Sequence, residues 1–408
     1  MSQKSTYTQP YMMMPKKRSY YNTIKAVKYI MEEGQWERAF QLLETLSITN
    51  EKQQEEVDYY QGWYHTEMYQ WEKALELLLP WVAKLEVRID DLSRTEMTYL
   101  AFSLYRIGVA YINLDLYEEA IHRLPKALKA IERWRLPLPM LQVKVRYSLA
   151  TSYIAQGLST PAVQHYELAQ EYFEQARQQN EAHKSGRLPV KEEELAHIYH
   201  GLCYAYRLQG DLVAAYVVGQ KALELYEKLK DDQMIARIEN LLGTISVLLS
   251  ESGNALYHFK EALEAAKNHQ GWGTVMTLVN YIGIANLCLA NKQLDEAQQY
   301  CEQIQALVDQ SKDVRLHGLA YLVIGKVHEG RARQAKQAQK EELWMVAMQH
   351  FLLAEEHLSG THSYAEIAEA YGRCAEVLEE LGRAREALNH WKSAYKAIAT
   401  PKGLSWYF

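Results

Sequence analysis

The chain has 408 residues, room for two or three ordinary domains or for one long repeat array. Hydrophobic residues make up 48% and charged residues 24%, and the formal net charge is -6, which predicts a soluble protein with a large core. That acidic balance argues against sequence-independent nucleic-acid binding, which normally presents a basic face.

Residues 1–19 are polar, with Pro10, Pro15 and the basic run Lys16, Lys17 and Arg18. They predict a flexible tail, and they hold no apolar stretch long enough for a secretory leader. No run of about 18 apolar residues is evident further along, so no membrane-spanning helix is expected. Thirty Tyr stand against six Phe. Tyr suits half-wet surfaces, because its ring packs while its hydroxyl finds a partner.

From about Tyr20 onward the chain repeats. The segments EGQWERAFQLL, LDLYEEAIHRL, QGLSTPAVQHY, QGDLVAAYVVG, NKQLDEAQQYC and LGRAREALNHW align on an anchor Ala. In chain order the anchors are Ala39, Ala74, Ala120, Ala162, Ala215, Ala255, Ala297, Ala347 and Ala387. Seven residues on, about two helical turns, a second Ala shares the face: Ala127, Ala169, Ala222, Ala262, Ala354 and Ala394. Four residues after the anchor stand Tyr166, Phe259, Phe351 and Trp391 on the same stripe.

Twelve residues before the anchor another small residue recurs: Gly62, Gly108, Ala150, Cys203, Gly243, Ala285 and Ala375. A large aliphatic residue often precedes it, as at Ile107, Leu149, Leu202, Leu242 and Ile284, and Tyr111, Tyr153 and Tyr206 follow it by three. Gly34, Gly157, Gly210 and Gly382, five before the anchor, predict left-handed caps that end the first helix. Each unit is therefore helix, turn, helix, with knobs on the first helix received by the alanines of the second. The four cysteines, Cys203, Cys288, Cys301 and Cys374, are few and widely spaced, which fits a reducing, cytoplasmic setting.

Three segments break the period. Residues 178–194, with Gly186 and Pro189, predict an exposed loop or hinge between an N-terminal half, 20–177, and a C-terminal half, 195–400. Residues 329–342 are good helix formers and predict lengthened helices. Residues 401–408, PKGLSWYF, form an apolar tail suited to capping the last unit.

Over about residues 20–400 this pattern resembles the tetratricopeptide repeat family, in its lengthened bacterial form, with units of about 40 residues rather than the usual 34. The resemblance implies an all-α, right-handed α-solenoid of about nine helix-turn-helix repeats with a concave groove lined by the first helices. The sensor modules of peptide-pheromone-responsive transcription regulators are similar arrays, and the resemblance implies a protein or peptide partner.

Catalytic chemistry is sparse. Gly271-Trp272-Gly273 is too short for a phosphate loop, and no HExxH, CxxC or EF-hand pattern occurs. His197 and His200 share a helix face, but no third ligand stands at metal spacing. Glu118-Glu119 and Glu192–Glu194 lie at helix starts, where they complement the dipole. No enzyme activity, cofactor or metal is expected, and no membrane or direct nucleic-acid contact.

In the third to seventh units the face opposite the knobs carries Phe102, Tyr105 and Val109; Lys144, Tyr147 and Thr151; His197, His200, Tyr204 and Arg207; Arg237, Asn240 and Thr244; and Asn286. Asn pairs with peptide backbone, and Lys or Arg holds carboxylates. The candidate binding residues are Tyr105, Lys144, Tyr147, His197, His200, Tyr204, Arg207, Arg237, Asn240 and Asn286. The expected function is a protein- or peptide-binding scaffold. Alternatives are a peptide-responsive regulator without its own DNA-binding domain and a subunit of an enzyme complex.

Overall fold

The structure is a computed structural model that describes residues 20–183, 190–267, 269, 272–361 and 364–399. The two predicted tails, 1–19 and 401–408, lie outside the described residues, as do Gly186 and Pro189 of the expected hinge. Among the described residues there are eighteen α-helices and one 3-10 turn, with no strand. The helices pair as α1 Tyr20–Glu32 with α2 Trp36–Glu44, α3 Glu51–Glu67 with α4 Trp71–Val87, and α5 Arg94–Asn113 with α6 Tyr117–Arg133. Next come α7 Pro139–Ala155 with α8 Ser159–His183, α9 Glu192–Gln209 with α10 Leu212–Leu229, and α11 Asp232–Leu248 with α12 Ser252–Ala266. The last pairs are α13 Trp272–Ala290 with α14 Leu294–Val308, α15 Val314–Gln334 with α16 Gln337–Leu358, and α17 Tyr364–Glu380 with α18 Ala384–Ala399.

The chain forms two compact units, divided between Pro137 and Leu138. The first holds three helix pairs and the second six. The segment between α8 and α9 falls inside the second of these units. Helix α8 continues to His183, and α9 begins at Glu192. The signal for the division is Leu136-Pro137-Leu138-Pro139: Pro137 cannot donate to a helix, and Pro139 opens α7.

The repeat register holds. Every anchor Ala is 0% or 1% exposed. Eight of nine positions five before the anchor have positive φ. Four are Gly34, Gly157, Gly210 and Gly382; the others are Tyr69, Asp115, Ser250 and Lys292, with φ between 57° and 62°. The exception is the lengthened pair, α15 and α16, which turns at Ala335 and Lys336 instead.

Packing reverses the expected direction of the knobs. The residue four after the anchor, on the second helix, enters the gap left by the glycine on the first. A Cβ on Gly243 would lie 2.8 Å from Phe259, and one on Gly325 would lie 2.6 Å from Phe351. Leu124 occupies the same place over Gly108. Phe259 also fills the gap at Gly283 of the next pair, where a Cβ would lie 2.7 Å from the ring, so one phenyl locks two repeats. Trp391 departs from the pattern. It is 39% exposed and its Nε1–H donates to Glu379 at 3.0 Å.

Within the second unit the first helices also touch in series, α7 to α9, α9 to α11, α11 to α13, α13 to α15 and α15 to α17. Contrary to the sequence expectation, α13 is long and apolar enough to cross a membrane. Its Met276, Leu278, Ile284, Leu287 and Cys288 are buried against neighbouring helices, as in a core helix.

Candidate functional site

Helix α11 is fixed from both sides. Glu239, 4% exposed, lies 2.6 Å from Nδ1 of His258 on α12, and Nε2 of His258 lies 2.9 Å from the Tyr216 hydroxyl on α10. The next residue, Asn240, faces α13. Its Nδ2 donates to Oδ1 of Asn280 at 3.0 Å, while Nδ2 of Asn280 donates to the Met276 carbonyl at 2.8 Å. The second bond orients Asn280, so Asn240 must present its N–H to that neighbour. Its own Oδ1 is left as a buried acceptor with no hydrogen-bond partner, on a residue 2% exposed. Such a group costs about 1–3 kcal/mol when nothing donates to it.

Asn240 lines a pocket of about 180 Å³ bounded by α11, α12, α13 and the start of α15. Its apolar wall is Val247, Phe259, Val275, Val279, Ile282, Leu316 and Leu319. Its polar groups are Asn240, Thr244, Asn286, Asp313 and Arg315. Thr244 donates to the Asn240 carbonyl at 3.0 Å, and Asn286 donates to the Ile282 carbonyl at 3.0 Å. Asp313 caps α15 by accepting from the Leu316 N–H at 3.1 Å. Arg315, 9% exposed, is held by Glu366 of α17 at 3.0 Å. A greasy pocket with amide side chains and a guanidinium in its lining suits an anchoring apolar side chain flanked by backbone polar groups.

Of the ten predicted residues, the pocket unites Asn240 and Asn286. Tyr105 belongs to the first unit and the other nine to the second. His197 and His200 meet at the Tyr226 hydroxyl of α10, at 3.0 and 3.5 Å. Desolvation, with His197 and Arg237 nearby, pushes His200 down to about 3. Desolvation likewise raises Tyr226. These histidines therefore sit in a hydrogen-bonded cluster, and the metal-type grouping among the described residues lies elsewhere.

Lys144 forms an ion pair with Glu194 of α9 at 3.4 Å, so its charge is partly committed inside the fold. Arg207 lies 4.7 Å over the ring of Tyr204. Tyr204 is 4% exposed and so gives little of the flat surface expected of it. Tyr147 packs edge-on to Tyr166 at 5.6 Å, and Arg237 is exposed. Sequence reasoning missed Asn280 and Arg315. Asn280 falls one position off the face used for prediction, where its one signal was an amide inside the apolar run of α13. Arg315 falls out of register because its helix pair is lengthened.

No protein-family model matches the sequence, and no curated protein matches it. Solved structures do. RapI in its apo form superposes with a TM-score of 0.66 at 12% identity, over 93% of this chain and 98% of that one. The apo quorum sensor NprR from B. thuringiensis gives 0.63 at 14% identity, again over 93% and 98%. NprR with its cognate peptide NprX gives 0.53 at 13% identity, over 95% and 100%. Aspartyl phosphate phosphatase F from Bacillus subtilis gives 0.58 at 15% identity, over 97% and 98%. These likenesses span nearly the whole chain and, with the buried anchors and the helix pairs, they establish that it has an all-α fold of tetratricopeptide type.

Proposed function

We propose that the chain is a peptide-binding regulatory protein rather than an enzyme. The observation that carries this is the apolar pocket of about 180 Å³ on the row of first helices, lined by Asn240, whose Oδ1 is buried without a partner. A peptide anchored there places one apolar side chain against Val275, Val279 and Ile282, and a shift of the Asn240 side chain exposes its Oδ1 to a peptide backbone N–H. Arg315 and Asn286 take the polar groups that flank the anchor. Lys144, Tyr147, His197, His200, Tyr204, Arg207 and Arg237 stand on α7, α9 and α11, which touch in series with α13, and they extend the same row of first helices. Tyr105 has the corresponding position in the first unit.

Two neighbours support the regulatory reading: a quorum sensor, and the same sensor bound to its cognate peptide. The four cysteines are free and buried, which supports a reducing, cytoplasmic setting. The test is capture of native peptides on the purified protein, identified by mass spectrometry and titrated by calorimetry. Asn240→Ala is expected to weaken the captured peptide by about tenfold, the worth of one buried hydrogen bond. Equal affinity in a folded Asn240→Ala variant rejects this site.

A further inference from the structure

The last two helix pairs bring together three side chains of different donor chemistry. Glu355 comes from α16, Cys374 from α17 and His390 from α18. A carboxylate oxygen, the thiol sulfur and a ring nitrogen from these residues all lie within 4.8 Å of one another. Nδ1 of His390 is 2.9 Å from Oε1 of Glu355, and the Cys374 sulfur stands beside the same carboxylate. Cys374 is 0% exposed and Glu355 8%, while the His390 side chain keeps 21% of its surface open to solvent. Among the described residues this is the one group of three that combines such donors.

The donor set suits a cation that displaces the thiol proton. With the thiol deprotonated, a carboxylate, a thiolate and a neutral imidazole carry two negative charges in a poorly solvated place. A divalent ion brings the site to neutrality, and an isolated buried charge is otherwise expensive. Sulfur and nitrogen donors select against magnesium and calcium, which take oxygen, and suit zinc and cobalt. Arg383 is the opposing cation nearby, and its guanidinium is held at 2.6 and 2.8 Å by Glu386.

We propose that Glu355, Cys374 and His390 form a binding site for a divalent transition-metal ion of the zinc class. On binding, the Cys374 proton passes to solvent and His390 coordinates through Nδ1 as its Nε2–H tautomer. Three protein ligands leave a fourth position to water, as in open zinc sites. The ion ties α16, α17 and α18 together at the end of the second unit, and it adds stability in proportion to its occupancy. This site is independent of the peptide pocket.

The test is a titration of metal-free protein with cobalt(II), then with zinc(II). One cobalt per chain is expected, with a thiolate-to-cobalt charge-transfer band that zinc removes. Cys374→Ser is expected to abolish the band, and Cys288→Ser to leave it intact. His390→Gln, at the more open edge, is expected to weaken cobalt binding by roughly tenfold or more and to remove the rise in melting temperature caused by zinc. The absence of a charge-transfer band in the parent protein overturns the proposal, as does a band that persists in Cys374→Ser. Should Cys374→Ser not fold, undiminished cobalt affinity in His390→Gln overturns it alone.

Discussion

A Cβ added to Gly62 would lie 2.5 Å from Cδ2 of Leu78, so the leucine occupies space that only glycine leaves open. Gly62 is on the first helix of its pair and Leu78 on the second, and the same contact recurs at Gly243 and Phe259. Glycine is unfavourable inside a helix by about 1 kcal/mol against Ala, so close packing must outweigh propensity at these points.

Gly243→Ala is therefore expected to lower stability by about 1–3 kcal/mol, the usual cost of overpacking. Gly253→Ala, where an added Cβ meets nothing within 4 Å, is expected to be neutral or stabilising by up to about 1 kcal/mol. Urea melts of the two variants decide the matter. A Gly243→Ala protein as stable as the parent contradicts the packing described.

The turn between paired helices supplies a change of the opposite sign. Lys292 holds φ at 61° where four of the nine repeats use glycine. A side chain there costs about 1 kcal/mol, so Lys292→Gly is expected to stabilise by roughly half to one kcal/mol, while Gly382→Ala is expected to destabilise. A melting temperature that falls in Lys292→Gly would mean that the lysine side chain contributes more than its backbone costs.

Acid is expected to loosen the fold through its histidines. Desolvation pushes His165 down to about 4, with Arg146 adding to the effect. It pushes His350 down to about 4, with His328 adding, and His200 down to about 3. Each is neutral when folded and titrates near 6.5 when unfolded. The unfolded chain therefore takes up protons first, and the stability these groups hold above pH 6.5 is lost as pH falls toward 4. In thermal melts across that window, His350→Phe is expected to show a shallower decline than the parent. Parallel curves would remove His350 from the account.

For binding, Arg207→Ala combined with Arg237→Ala is expected to weaken an acidic partner while leaving the melt nearly unchanged. Affinity is expected to fall with added salt, because charges are screened over about 8 Å at physiological ionic strength. If the folded double variant binds as tightly as the parent at low salt, these cations lie outside the contact surface.

The repeat was legible because one small residue per unit is forced by helix contact, and all nine anchors are buried as the spacing demanded. Of the ten residues named for binding, two line the candidate pocket. Asn240 and Asn286 stand at face positions that the register identifies, and the pocket uses both. What stayed hidden depends on partners remote in sequence. Nothing near Asn240 announces that Asn280 will claim its N–H and strand its oxygen. Nothing near Lys144 announces the ion pair with Glu194. The division after Pro137 coincides with two prolines one residue apart, at Pro137 and Pro139.

The lengthened pair has an implication for engineering. From Gly243 to Phe259 the chain advances 16 positions, and from Gly325 to Phe351 it advances 26, yet both end in the same glycine–phenyl contact. The additional residues lie wholly beyond that contact, in the distal ends of α15 and α16 and their turn at Ala335 and Lys336. Hairpin tips in this architecture can therefore grow without rotating the faces below them. The Ala335–Lys336 turn is the place to graft an epitope or a fluorescent reporter, at a point where added chain leaves the packed base of the repeat undisturbed.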